Sequence, residues 1–168
     1  MDFQIPIQIP ALAKGIDYRD KTLLTGSCFT EHIGDKLAEL TFDVLQNPNG
    51  ILFDPHSVAS SLVSYIHNKE YRESDLTFFN ELWQSWQHHS RFSHINVDQC
   101  LRIINESQQI AHKFLKESNW LIITLGSSYS YRLKESSGPV ANCHRAPAQW
   151  FDKHLMTIEE TNAVLDNC

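Results

Sequence analysis

Residues 21–40, KTLLTGSCFTEHIGDKLAEL, hold the reading on which the fold turns. The apolar pair Leu23-Leu24 suits a short strand buried on both faces, and Ile33, Leu37 and Leu40 recur at i, i+4, i+7, one face of a helix. Gly26 stands at the switch between the two, where a missing Cβ lets the chain turn sharply. Ser27 and Cys28 then fall at or just before the helix N-terminus, where free N–H groups and the positive end of the dipole stabilise a developing alkoxide or oxyanion. The same place suits a plain N-cap, for which Ser27 and Thr30 both have the chemistry. Thr30 lacks a capping box, because Ile33 stands where the glutamate would be.

Outward from this unit, strands and helices alternate. Phe42 to Leu45 reads as a second strand, and Pro55-His56-Ser57 opens a helix to about His67 on Val58, Leu62 and Ile66. Leu82, Trp83, Trp86 and Phe92 mark an aromatic-rich irregular segment that suits a core or the wall of a pocket. A long helix from Asp98 follows on Leu101, Ile104, Ala111 and Leu115. WLIITL, Trp120 to Leu125, is the clearest buried strand. Tyr129 to Leu133 and Val140 to Asn142 suit a hairpin through the polar turn Glu135 to Pro139, and Thr157 with Glu160 forms a capping box for a last helix. Alternating strands and helices imply a parallel sheet, in which ligands bind beyond the carboxyl ends of the strands. Ser27, Asn49-Gly50 and Gly126-Ser128 each follow a predicted strand directly, so the three should converge on one edge.

Composition narrows the classes. With 168 residues, 42% hydrophobic and 20% charged, the chain makes one domain, residues 1–168. Its 14 basic against 20 acidic residues give a net charge of -6 with no basic cluster, which argues against nucleic acid as a partner. The opening MDFQIPIQIPALAKG has no positive start, and Pro6 and Pro10 break its apolar residues. It does not read as a signal peptide, and no apolar run reaches the ~20 residues of a membrane span. A cytoplasmic location is the expectation. The four cysteines, Cys28, Cys100, Cys143 and Cys168, are scattered with no C-x-x-C, as expected of free thiols and not of a zinc site. His88 and His89 point to opposite faces of an extended segment, so they do not share an ion with His94, and no metal is expected. Six glycines without a phosphate-cradling loop imply no cofactor.

Five motifs carry a resemblance. Gly26-Ser27-Cys28-Phe29-Thr30 resembles the signature of the GSCFA family, with Thr30 in place of its usual alanine. Asn47-Pro48-Asn49-Gly50-Ile51-Leu52-Phe53-Asp54-Pro55 resembles the family's NPxGIxxxP, His88-His89-Ser90 its HHS, Thr124-Leu125-Gly126 its TLG, and Asn142-Cys143-His144-Arg145 its NCHK. The resemblance runs through essentially all 168 residues, which correspond to about the N-terminal half of the family's domain. It implies similarity to the SGNH/GDSL hydrolases and acyltransferases. The fold would then be a three-layer α/β/α sandwich with a mainly parallel, flavodoxin-like sheet, incomplete at its C-terminus. The activity implied is that of a serine esterase or O-acyltransferase acting on an ester or an O-acetylated carbohydrate through an acyl-serine intermediate.

Carried over residue by residue, Ser27 is the nucleophile, and its own N–H and that of Gly50 are oxyanion donors. Asn49 and Gly126 lie in the same loops. The third donor of SGNH enzymes, the Asn of a GxND segment, falls here on Ser128. Either its hydroxyl serves, or Asn142 or His144 replaces it, and loss of one such donor costs on the order of 100- to 1000-fold in rate. His89 and Ser90 are expected to contact substrate. The base in SGNH enzymes comes from an Asp-x-x-His segment, and here Asp152-Lys153-His154 is one residue short of that spacing. That pair is expected in sequence beyond Cys168. Within the chain His144 is the best base, followed by His32, His56 and His88. Cys28 is expected to point into the core behind the turn while Ser27 faces the cleft, with a Cys28 thiol hydrolase as a weaker alternative. A non-catalytic binding or scaffold protein that keeps the Gly-Ser turn without a base is the reading from another class.

Overall fold

A computed structural model describes residue 10 and residues 13–168; most of the N-terminal segment read above against a signal peptide lies outside them. The chain runs β1 (Lys21–Gly26), α1 (Cys28–Glu39), β2 (Asp43–Gln46), α2 (Pro55–Ile66), β3 (Thr77–Phe79), β4 (Leu82–Gln84), α3 (Val97–Glu117), β5 (Trp120–Thr124), β6 (Tyr129–Leu133), β7 (Pro139–Val140), β8 (Phe151–Leu155) and α4 (Ile158–Asp166). The described residues form a mixed α/β architecture with three small sheets. A parallel sheet in the order β2-β1-β5 organises the site, β3 and β4 form a hairpin, and β7-β6-β8 is antiparallel.

β1 is central, and Leu23 and Leu24 are fully buried, as their apolar run predicts. Its register sets Leu24 against Gln46 and Gly26 against Thr124. The carboxyl ends of all three parallel strands therefore lie side by side. Leu23 joins Leu52, Val58, Leu62, Tyr65 and Ala111 in the main core, so α2 and α3 cover one face of the sheet. Full burial of one such leucine is worth roughly 1.5–3 kcal/mol. A second cluster, Tyr71, Leu76, Phe92, Cys100 and Ile104, seats the hairpin on the first half of α3.

Local chemistry starts the helices. The Asp54 carboxylate accepts the Ser57 N–H at 3.0 Å, with Pro55 in the first turn of α2. Asn96 accepts the Gln99 N–H at 2.9 Å before α3, and the predicted box of Thr157 with Glu160 opens α4. The β6–β7 hairpin forms as its turn residues suggest.

Four expectations need correction. α1 buries Thr30 and Gly34, not Ile33, Leu37 and Leu40, because Gly34 lies directly against the Gln46 side chain, where a Cβ would collide. Ile33 and Leu40 are exposed. β5, read as the clearest buried strand, is a sheet edge: among the described residues nothing pairs with its far side, and Leu121 is 44% exposed. Among the described residues, parallel pairing is confined to three of the eight strands. The aromatic segment expected to be irregular contains β3 and β4, joined through Asn80 and Glu81, both at positive φ (49° and 61°), as a two-residue hairpin turn requires.

Candidate active site

Ser27 is the N-cap residue of α1, with extended backbone (φ -69°, ψ 175°), yet its side chain caps nothing. Its Oγ lies 3.0 Å from Thr124 Oγ1 at the end of β5, and Thr124 Oγ1 also meets Thr30 Oγ1 at 2.5 Å. Gly26 makes this possible. Its φ of 137° is open to glycine, and a Cβ there would strike the Thr124 carbonyl. Gly126 packs against the Ser27 side chain and Phe53. The ends of β1 and β5 and the loop after β2 thus converge, as the strand-end argument anticipates.

Asn47 ties that loop to the sheet. Its N–H donates to the Leu24 carbonyl at 2.9 Å, and its Oδ1 accepts the Gly26 N–H at 2.8 Å. Its own carbonyl accepts from Gly50 N–H at 2.7 Å and from the Arg91 guanidinium, which also pairs with Glu31 at 3.2 Å. Asn49 is buried; its carbonyl accepts the His89 N–H at 2.9 Å, and its Oδ1 has no partner among the described residues. Gly50, at φ 84°, lies under His89, so a Cβ there would meet the His89 side chain.

The backbone donors expected of an oxyanion hole are occupied. Ser27 N–H donates to Thr124, at 3.0 Å to the carbonyl and 3.1 Å to Oγ1. Gly50 N–H serves Asn47, while Gly126 and Ser127 N–H both serve the Phe53 carbonyl, at 2.8 and 3.1 Å. The N–H groups of Cys28 and Phe29, first in the helix, meet no acceptor among the described residues and point out of its N-terminus. Ser128 is exposed, and its carbonyl accepts the Met156 N–H at 2.9 Å.

Cys28 and Ser27 exchange the environments expected of them: Cys28 is exposed and Ser27 is 7% exposed. The cause is the helix start. Ser27 precedes the first turn and faces β5, while Cys28 begins that turn on its outer side.

His144 is set apart from Ser27. Its Nε2 lies 2.7 Å from the Ser85 carbonyl and its Nδ1 3.3 Å from Ser90 Oγ. Asn142 joins them, donating from Nδ2 to Ser90 Oγ at 3.4 Å and accepting the His144 N–H at Oδ1 at 2.9 Å. Burial holds the His144 pKa below the ordinary imidazole range, with the Ser85 carbonyl working against it. His89 is half-buried, and its Nδ1 accepts from Arg91 N–H at 3.3 Å. Its neighbour His88 is buried between Tyr71 and Phe92, as opposite-facing neighbours should divide, and desolvation pushes its pKa down to about 3. Among the described residues no imidazole hydrogen-bonds Ser27.

Sequence reasoning missed two residues here. Thr124 enters the sequence reading only as part of the WLIITL strand and the TLG motif, although a hydroxyl closing a buried strand beside a Gly-Ser turn is a signal. Arg91, directly after HHS, was passed over; it clamps the Asn47 loop to Glu31 of α1.

The model of the GSCFA family matches residues 21–168 of the chain. No curated protein and no solved structure matches it.

Proposed function

Because the chain belongs to the GSCFA family, we propose that it is the nucleophile-bearing part of an SGNH-type serine esterase or O-acyltransferase. Ser27 attacks an ester or acetyl carbonyl, on a small molecule or a carbohydrate, and forms an acyl-serine. The observation that carries this reading is the idle cap: Ser27 occupies the N-cap of α1, but its hydroxyl turns to Thr124 and leaves the helix N-terminus open. A serine present only for capping would accept a first-turn N–H at its oxygen. The Cys28 and Phe29 N–H groups then stabilise the oxyanion.

Attack by Ser27 requires an imidazole oriented by a carboxylate, and among the described residues none hydrogen-bonds it. Two surfaces support a larger sandwich. The edge of β5, WLIIT, has no charged residue to guard it, and an apolar run of this kind suits a strand with neighbours on both sides. Phe29, Ile33 and Leu40 leave the outer face of α1 apolar and exposed. A third layer over these surfaces completes the α/β/α fold. The four cysteines are free thiols, consistent with the reducing cytoplasm, and no helix among the described residues is long and apolar enough to cross a membrane.

One observation favours a non-catalytic ligand-binding protein instead: Ser27, Gly50 and Gly126 have all committed their N–H groups to carbonyls. Labelling of the full gene product with a fluorophosphonate separates the two. Covalent modification of Ser27, lost in Ser27→Ala, supports the enzyme; a folded protein that stays unmodified at Ser27 supports the binder.

A further inference from the structure

Away from Ser27, the chain brings a second serine to an imidazole. Ser90 and His144 are 54 residues apart in sequence and meet at 3.3 Å. The other contacts between a serine hydroxyl and an imidazole among the described residues are local: Ser60 with His56 one helical turn away, and Ser85 with His88 within a buried turn. The chemistry of the Ser90 pair is fixed by its surroundings. A carbonyl only accepts, so the 2.7 Å contact to the Ser85 oxygen places the hydrogen of His144 on Nε2. Nδ1 is then the lone-pair nitrogen, and it faces the Ser90 hydroxyl. Asn142 holds both partners, and His144 and Arg145 are kept at positive φ (47° and 60°), backbone positions that cost energy and persist where surroundings enforce them.

The pair opens on a cleft of about 270 Å³ whose lining includes Leu82, Gln84, Ser90, Ser93, His144 and Arg145. Ser90 is exposed and His144 is 8% exposed, so the hydroxyl is reachable while the base is shielded. Arg145 makes no ion pair among the described residues, which leaves a cation at the cleft for an anionic group.

We propose that Ser90 is a second nucleophile, driven by His144, for a small acyl ester that carries a carboxylate held by Arg145. As Ser90 Oγ bonds to the ester carbonyl carbon, its proton passes to His144 Nδ1. The carbon–alkoxy bond then breaks, and the departing alcohol takes that proton. Water attacks the acyl-serine by the same route, giving its proton to Nδ1 and releasing the acid as Ser90 recovers its hydrogen. Burial lowers the basicity of His144, which keeps the ring neutral and ready to accept at pH 7.

The test treats the 168-residue chain with an alkyl fluorophosphonate and locates the adduct by mass spectrometry on the tryptic peptides 22–36, which holds Ser27, and 73–91, which holds Ser90. The expected adduct is on Ser90, unchanged in Ser27→Ala, absent in Ser90→Ala, and at least 100-fold slower in His144→Gln. An adduct confined to Ser27, or none on a chain with native circular dichroism, overturns the proposal. Because the two serines report on different peptides, its failure is distinct from failure of the Ser27 reading. Arg145→Gln should lower kcat/KM for p-nitrophenyl succinate at least tenfold more than for p-nitrophenyl butyrate. Equal effects on the two esters remove the carboxylate from the proposal.

Discussion

The hydroxyl of Thr124 stands 3.0 Å from the hydroxyl of Ser27, and the same oxygen accepts the Ser27 N–H and meets the Thr30 hydroxyl. One side chain at the end of β5 thus fixes both the turn and the first helical residues that follow it. Thr124→Val keeps the shape and removes the oxygen, leaving two buried hydroxyls without their partner. We expect a loss of about 1–3 kcal/mol in urea unfolding, with Thr124→Ser close to wild type. Equal stability of the valine and serine variants would show that the hydroxyl does not organise the turn.

Gly26→Ala sets a Cβ against the Thr124 carbonyl in a backbone conformation that L-residues avoid. Steric crowding and strain together should cost about 3 kcal/mol or more, seen as a lower melting temperature or loss of soluble protein. Gly15→Ala is the control, since nothing lies within 4 Å of its Cβ position, and it should stay within about 0.5 kcal/mol.

His88 predicts an acid sensitivity. Its pKa falls from 6.5 to about 3 on folding, chiefly through desolvation, so the folded state favours the neutral ring. For a depressed pKa the stability is fully present above the unfolded value and is lost as pH falls from about 6.5 towards 3. Unfolding titrations should show a decline on the order of a few kcal/mol across that window. A His88→Gln variant, less stable at pH 7, should have a flatter profile there; an unchanged slope would remove His88 as the cause.

Leu121 reports on what lies beside β5. At 44% exposure, Leu121→Lys should shift the stability of the 168-residue chain by no more than about 0.5 kcal/mol. In the full gene product, if a strand covers that edge, the same change should cost about 2 kcal/mol or more. Tolerance of the lysine in both proteins would leave the edge open in each.

How much of this could be read in advance depended on whether the signal was local. The strand at Leu23-Leu24, the turn at Gly26 and the box at Thr157 rest on neighbours within a few residues, and these formed as predicted. The convergence of the loops after β1, β2 and β5 followed from parallel topology alone. The buried face of α1 was misread because Gly34 and Thr30 are not apolar; they are buried because one admits the Gln46 side chain and the other bonds to Thr124, both distant in sequence. The β3–β4 hairpin was missed because Asn80-Glu81 has no glycine, so its left-handed turn leaves a weak trace. The partner of His144 was unreadable for the same reason as Thr124: neither Ser85 nor Ser90 is near it in the chain.

The bond from Gly26 N–H to the Asn47 side chain has a mechanical consequence. Where a sheet would ordinarily continue with a main-chain carbonyl, the last rung between β1 and β2 is a buried side-chain amide. The loop bearing Asn49 and Gly50 has already turned aside at the positive φ of Asn47, 43°, while the strand beneath it remains paired. Position 47 therefore anchors the rim of the crevice to the strand end twice, by its main-chain N–H to Leu24 and by its side chain to Gly26.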